Sequence, residues 1–171
     1  MAKPKAFENY PCRIVFLSNL VSFAIYAIGA FIMFQLGPIW MLIYLLYCAV
    51  LEMRLIKNHC VSCYYYGKYC AFGKGKISSL LFKKGDSARF IKTEMTWKNI
   101  IPDFLVSLIP LIAGIVLLIL RFDWLMLLLI ILLVILTTSG NGFIRSSFAC
   151  KFCKQKEIGC PAEKLFNKGK K

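Results

Sequence analysis

Residues 124–138 read Trp-Leu-Met-Leu-Leu-Leu-Ile-Ile-Leu-Leu-Val-Ile-Leu-Thr-Thr. The run holds no charge and no polar residue before its last two positions, so it lacks the apolar/polar alternation of a half-buried or barrel strand. It reads as a helix buried on every side. Three more segments match it: Ile14–Phe34 without a charge, Ile39–Ile56 apolar until Glu52 and Arg54, and Ile100–Leu120 apolar apart from Asp103. A bilayer core of about 30 Å needs roughly 20 helical residues, which predicts four transmembrane helices. Composition agrees. The chain has 171 residues, is 59% hydrophobic and carries a formal net charge of +14, whereas soluble domains are about 45–50% apolar. High charge and high hydrophobicity coexist only where they are segregated along the chain, as here. A soluble globular enzyme is excluded.

The connectors pair the helices. Gln35-Leu36-Gly37-Pro38 carries the Gly-Pro reversal signal, and Arg121-Phe122-Asp123 links the second pair. Both are too short to hold a domain. The expected organisation is a basic N-terminus (1–13), a first hairpin (14–56), a polar linker (57–99), a second hairpin (100–138) and a tail (139–171). Of the 22 Lys and Arg, only Arg121 falls on the hairpin-turn side. Cytoplasmic loops accumulate such residues, so both termini and the linker are expected in the cytoplasm. Twenty-one apolar residues exceed a signal-peptide core, so the first helix is read as an uncleaved span. The positive charge is read as a topology determinant facing the anionic cytoplasmic leaflet rather than as a nucleic-acid surface. Within the linker, Leu80, Leu81, Phe82, Phe90 and Ile91 beside Lys83, Lys84, Arg89 and Lys92 suit an interfacial segment, divided in two at Gly85. Glu52, Arg54 and Asp103 read as interfacial charges near helix ends, and Cys48 as a packing residue.

Six of the eight cysteines form a pattern. Cys60, Cys63 and Cys70 make C-x2-C-x6-C, and Cys150, Cys153 and Cys160 repeat it. Each motif follows the second helix of a hairpin. Cys60 to Cys150 is 90 positions and Ile14 to Ile100 is 86, which predicts an internal repeat. An even number of crossings per unit makes the repeats parallel, with a pseudo-two-fold along the membrane normal. The fold class read from sequence is therefore an all-α integral membrane protein of four transmembrane helices. They form two parallel-repeat hairpins, each followed by a cytoplasmic cysteine knuckle. Matched third cysteines are superfluous for a thioredoxin-type dithiol, and a reducing compartment disfavours disulfides. Thiolate metal coordination is therefore favoured over redox thiols or disulfides, with zinc or an iron–sulfur cluster as the candidates.

Two C-x2-C-x6-C halves resemble the binuclear cluster of the fungal zinc-cluster proteins, in which six cysteines hold two zinc ions. The resemblance covers about 22 residues and departs in the linker, which here contains a whole hairpin. It supports the metal geometry and lends nothing to DNA binding. It implies Cys60 and Cys150 as bridging thiolates, with Cys63 and Cys70 completing one zinc and Cys153 and Cys160 the other. The iron–sulfur alternative wants four cysteines per [4Fe–4S] cluster; Cys12 and His59 would raise the candidate ligands to eight.

Three function classes follow: a membrane-anchored structural or accessory protein built around a thiolate metal cluster, zinc favoured; an iron–sulfur electron-transfer subunit of a larger membrane complex; and a metal- or thiol-dependent transporter or sensor. No catalytic residue set is legible, and Gly73-Lys74-Gly75-Lys76 is no nucleotide fingerprint.

Overall fold

The computed structural model describes residues 6–92 and 97–160. Lys3 and Lys5, linker residues 93–96 and the tail beyond Cys160 lie outside the described residues. The order is α1 (Cys12–Leu36), α2 (Pro38–Asn58), a 3-10 turn (Cys60–Ser62), α3 (Lys74–Leu81), α4 (Ser87–Lys92), α5 (Trp97–Leu120), α6 (Trp124–Ile135), α7 (Asn141–Ile144) and α8 (Lys154–Ile158). Among the described residues the backbone is helical or irregular, apart from one isolated parallel bridge between Phe7 and Cys153. Four helical stretches are long and apolar enough to cross a membrane: Cys12–Leu36, Pro38–Ser62, Ile100–Leu120 and Trp124–Ala149.

Local chemistry sets the helix ends. The Pro11 carbonyl accepts from Ile14 N–H at 3.0 Å, opening α1. Gly37, at φ +133°, reverses the chain in a single residue, a conformation that favours glycine. Pro38 then starts α2 at the position where a missing N–H costs nothing. Asp123 caps α6 by accepting from Leu125 N–H at 3.1 Å. The fourth stretch runs further than the sequence suggested. Beyond Thr138 the backbone continues as π-helix over Leu136–Gly140, as α7, and as π-helix again over Arg145–Ala149. Thr137 donates to the Leu133 carbonyl at 2.8 Å and Thr138 to the Val134 carbonyl at 2.6 Å. These hydroxyls bond back to the helix's own carbonyls and so are satisfied within it, and the backbone stays helical although the apolar run has ended.

The chain divides into two compact units. One comprises Asn19–Glu52 and Lys98–Phe143, and the other the chain up to Ser18, Met53–Trp97 and Ile144 onward. The first unit has two buried clusters: Ile25, Ile28, Ile32, Met126, Ile130 and Leu133, and Met33, Tyr44, Cys48, Leu51 and Val106. Cys48 is thus a packing residue. Gly114 lets helices approach closely, since a Cβ there would stand 3.0 Å from Ile130 Cγ1 and 3.4 Å from Ile32 Cγ2. The outer surface of this unit is aliphatic and aromatic, with Phe23 68% and Ile119 79% exposed.

Pro102 and Pro110 both lie inside α5. Proline lacks an N–H, so Pro110 leaves the Val106 carbonyl without its intrahelical donor. Tyr44, 2% exposed, supplies one: its hydroxyl donates to that carbonyl at 3.0 Å. Tyr47 also donates across to α5, to the Pro102 carbonyl at 2.8 Å. Stranding a buried carbonyl costs about 1–3 kcal/mol. Tyr44→Phe is therefore expected to destabilise the chain by that amount, measured by thermal unfolding in detergent. In a Pro110→Ala background, where the helix N–H returns, the same substitution should cost little. Equal costs in both backgrounds would contradict the assignment.

Candidate metal centre

The two cysteine motifs share the turn at their first two cysteines, after which the second motif enters α8 and the first continues in turns. Cys63 N–H donates to the Cys60 carbonyl at 3.4 Å, and Cys153 N–H donates to the Cys150 carbonyl at 3.4 Å. Tyr66 N–H then reaches the Cys63 carbonyl at 3.0 Å, and Lys156 N–H the Cys153 carbonyl at 3.1 Å. All four bonds correspond under the 90-residue offset. The dihedrals agree as well, with Cys63 at φ −81°, ψ 153° and Cys153 at φ −83°, ψ 117°. At both second cysteines burial raises the thiol, and nearby backbone N–H groups act against that rise: Tyr65 at Cys63, and Lys156 and Gln155 at Cys153. Such donors favour the thiolate form. The repeat legible in the spacing thus extends to the turn itself.

Both motifs lie in the same compact unit and pack on one aromatic cluster. Tyr10, Tyr65, Ala71 and Ala149 form its buried centre, and Cys63, Cys70, Phe152 and Cys153 pack against it. Tyr65 ties the motifs together: its hydroxyl donates to the Phe7 carbonyl at 2.7 Å and accepts from Lys154 N–H at 2.9 Å. Gln155, at the position equivalent to Tyr65, accepts from Tyr64 N–H at 2.7 Å. Edge-to-face and tilted ring contacts complete the cluster, with Phe7–Phe152 at 4.9 Å and Tyr10–Tyr65 at 5.5 Å.

Among the six motif cysteines, Cys60, Cys63, Cys70, Cys153 and Cys160 are half-buried and Cys150 is exposed. Burial pushes the Cys63 thiol up to about 11, and the neighbouring Cys153, Cys70 and Cys160 push in the same direction. Burial raises Cys153 too, with contributions from Cys160 and Cys150. Cys63, Cys70, Cys153 and Cys160, from both motifs, therefore share one electrostatic neighbourhood. Among the described residues, however, no three Cys, His, Asp or Glu side chains close on a common point as an ion's ligands would. The remaining candidates lie elsewhere in the same unit. Cys12 is exposed at the start of α1, and the His59 ring stands edge-on to Phe90 at 6.3 Å.

The N-terminal segment was not legible as part of this site. Phe7 N–H donates to the Phe152 carbonyl at 3.0 Å, and Tyr10 N–H to the Tyr69 carbonyl at 2.9 Å. Tyr10 hydroxyl donates to the Ala149 carbonyl at 2.5 Å, so residues 7–10 stitch one motif to the other. The signal was Phe7-Glu8-Asn9-Tyr10 itself, an acidic and aromatic insert in a basic terminus. Glu8 pairs with Lys154 and with Lys68, the latter at 3.2 Å, and accepts from Tyr64 hydroxyl at 2.7 Å. The Lys154 ammonium, then the Tyr64 hydroxyl and Lys68, hold its carboxyl down at about 2. A depressed folded-state value stabilises above the ordinary carboxyl range, and that stabilisation is lost as pH falls toward 2. Glu8→Gln should therefore lower the melting temperature modestly at pH 7, because exposed pairs are screened, and by clearly less near pH 2. A gap of the same size at both pH values would contradict this pairing.

No family model, curated protein or solved structure is similar to this chain.

Proposed function

We propose that this chain is a multi-pass membrane protein, with both termini and both cysteine motifs in the cytoplasm, whose two motifs jointly hold a thiolate-bound metal, zinc being favoured. Its role is structural or accessory: the metal clamps two chain segments that are 90 residues apart into one unit. The observation that carries this reading is the shared backbone of the two C-x2-C turns, both packed on the Tyr10–Tyr65 cluster. Soft thiol donors suit zinc or an iron–sulfur cluster. The ligands are drawn from Cys60, Cys63, Cys70, Cys150, Cys153 and Cys160, and the metal brings them to a common point. Structural thiolate sites contribute folding energy directly, and this role asks for no further reactive group.

The membrane part rests on four apolar stretches of 21 to 26 residues and on outward-facing residues such as Phe16, Leu46 and Leu128. In water their exposure would be costly; against lipid it is the expected arrangement. Orientation rests on the basic residues, which gather on the side opposite Arg121.

Elemental analysis of anaerobically purified protein tests the metal. Zinc without visible colour is the expected result. Iron with acid-labile sulfide and an absorption band near ~400 nm, as iron–sulfur clusters show, would replace the structural reading with electron transfer. A metal-free chain with free thiols would overturn the metal reading.

A further inference from the structure

α3 is built inside out. Its buried face carries the smallest and most polar residues: Gly75 is buried and Ser78 is 0% exposed. Ser78 satisfies its hydroxyl locally by donating to the Gly75 carbonyl at 2.7 Å. Ser79 does the same to the Lys76 carbonyl at 2.8 Å. This face lies against the loop between Cys63 and Cys70, where Gly67 N–H donates to the Gly75 carbonyl at 2.9 Å. Ile77, Leu80 and Leu81, at helical spacing on the opposite face, are 44%, 76% and 53% exposed. A helix packed for water carries the reverse pattern, with its apolar stripe inward.

The surroundings indicate what covers this face. Lys76, Lys83 and Lys84 are exposed beside it, so the surface is apolar at its centre and cationic at its margin, as interfacial helices are. α3 belongs to the compact unit that also contains the ends of three membrane-length stretches: Cys12–Ser18, Met53–Ser62 and Ile144–Ala149. We propose that α3 docks on the bilayer surface, with Ile77, Leu80 and Leu81 entering the acyl boundary and Lys76, Lys83 and Lys84 on anionic lipid headgroups. The lysines gain from a negative leaflet within about a Debye length of the surface. The docked helix then holds the first cysteine motif at the membrane, because its inward face is that motif's own packing partner.

This inference rests on the membrane reading, and one experiment separates the two. The full chain is reconstituted in nanodiscs containing anionic lipid and brominated acyl chains, as two single-tryptophan variants. One keeps Trp40 in α2, with Trp97→Phe and Trp124→Phe; the other carries Leu80→Trp with all three native tryptophans replaced by Phe. Leu80 is so exposed that its substitution leaves the fold intact. Strong bromolipid quenching of Trp40 reports insertion, and its absence would overturn the membrane reading itself. With Trp40 quenched, the expected result is that the indole of the Leu80→Trp variant is quenched at least half as strongly and acrylamide reaches it several-fold less than free tryptophan. Quenching by lipid should fall by at least a third when Lys76, Lys83 and Lys84 are replaced by Gln. Free access of acrylamide, or protection from both quenchers as under a second protein, would overturn the docking. Lipid quenching indifferent to the three lysines would overturn the role of the anionic headgroups.

Discussion

Removing the metal with a strong chelator is expected to lower the melting temperature of the purified chain by more than about 10 °C, and Cys63→Ser to abolish that response. Structural zinc in small peptides contributes on the order of 10 kcal/mol, and each kcal/mol moves the midpoint of a chain of this size by about 2–4 °C. Cys63 is chosen because it is the thiol whose surroundings include Cys70 of its own motif and both Cys153 and Cys160 of the other. On the proposed shared site, losing it should remove a ligand. Cys12→Ser, at an exposed position opening α1, should leave both the starting temperature and the chelator response unchanged. A wild-type chain indifferent to chelation, with metal verified as removed, would contradict a structural role.

The second large effect requires no metal. Gly75→Ala is expected to destabilise the unit containing the motifs by about 3 kcal/mol, at the upper end of ordinary overpacking. A Cβ at this position would overlap the Tyr65 carbonyl oxygen and stand 2.6 Å from the Lys68 carbonyl oxygen. Both obstacles are backbone, so neither can swing aside. α3 must back away, breaking the bond from Gly67 N–H and disturbing Tyr65, whose hydroxyl links Phe7 to Lys154. Gly142→Ala is the matched control. It sits in helical α7, where an added methyl group would meet nothing within 4 Å, and alanine is the better helix former by about 1 kcal/mol. It should be neutral or stabilising. Thermal unfolding of the two variants checks both statements, and equal tolerance would contradict the close approach at Gly75.

What was legible in the sequence follows the physics that writes it there. Apolar runs of membrane length need no tertiary context, so α1, α2, α5 and α6 could be read from residues 14–138, and Gly37-Pro38 marked its own reversal. The end of the fourth stretch could not be read. Thr137, Thr138 and Ser139 end the apolar pattern, yet the threonine hydroxyls are satisfied by the helix's own carbonyls and the stretch continues to Ala149. Nor could the consequence of Pro110 be read: it frees the Val106 carbonyl, which Tyr44 satisfies from 62 positions away. The C-x2-C spacing announced matching turns, because an i to i+3 hydrogen bond is a local feature. The role of Phe7–Tyr10 was invisible for the opposite reason. Its contacts to Phe152, Cys153 and Lys154 span the length of the chain and follow no period. The ionic pattern that could have revealed it was one acidic residue between aromatics.

The central claim is that the two motifs hold metal together, and metal content in chains lacking one motif tests it most directly. Two variants suffice: Cys150, Cys153 and Cys160 all changed to Ser, and Cys60, Cys63 and Cys70 all changed to Ser. A shared site predicts that each variant, purified folded in detergent, loses essentially all of its bound metal. Retention of half the wild-type content by both would show two independent sites and contradict the account.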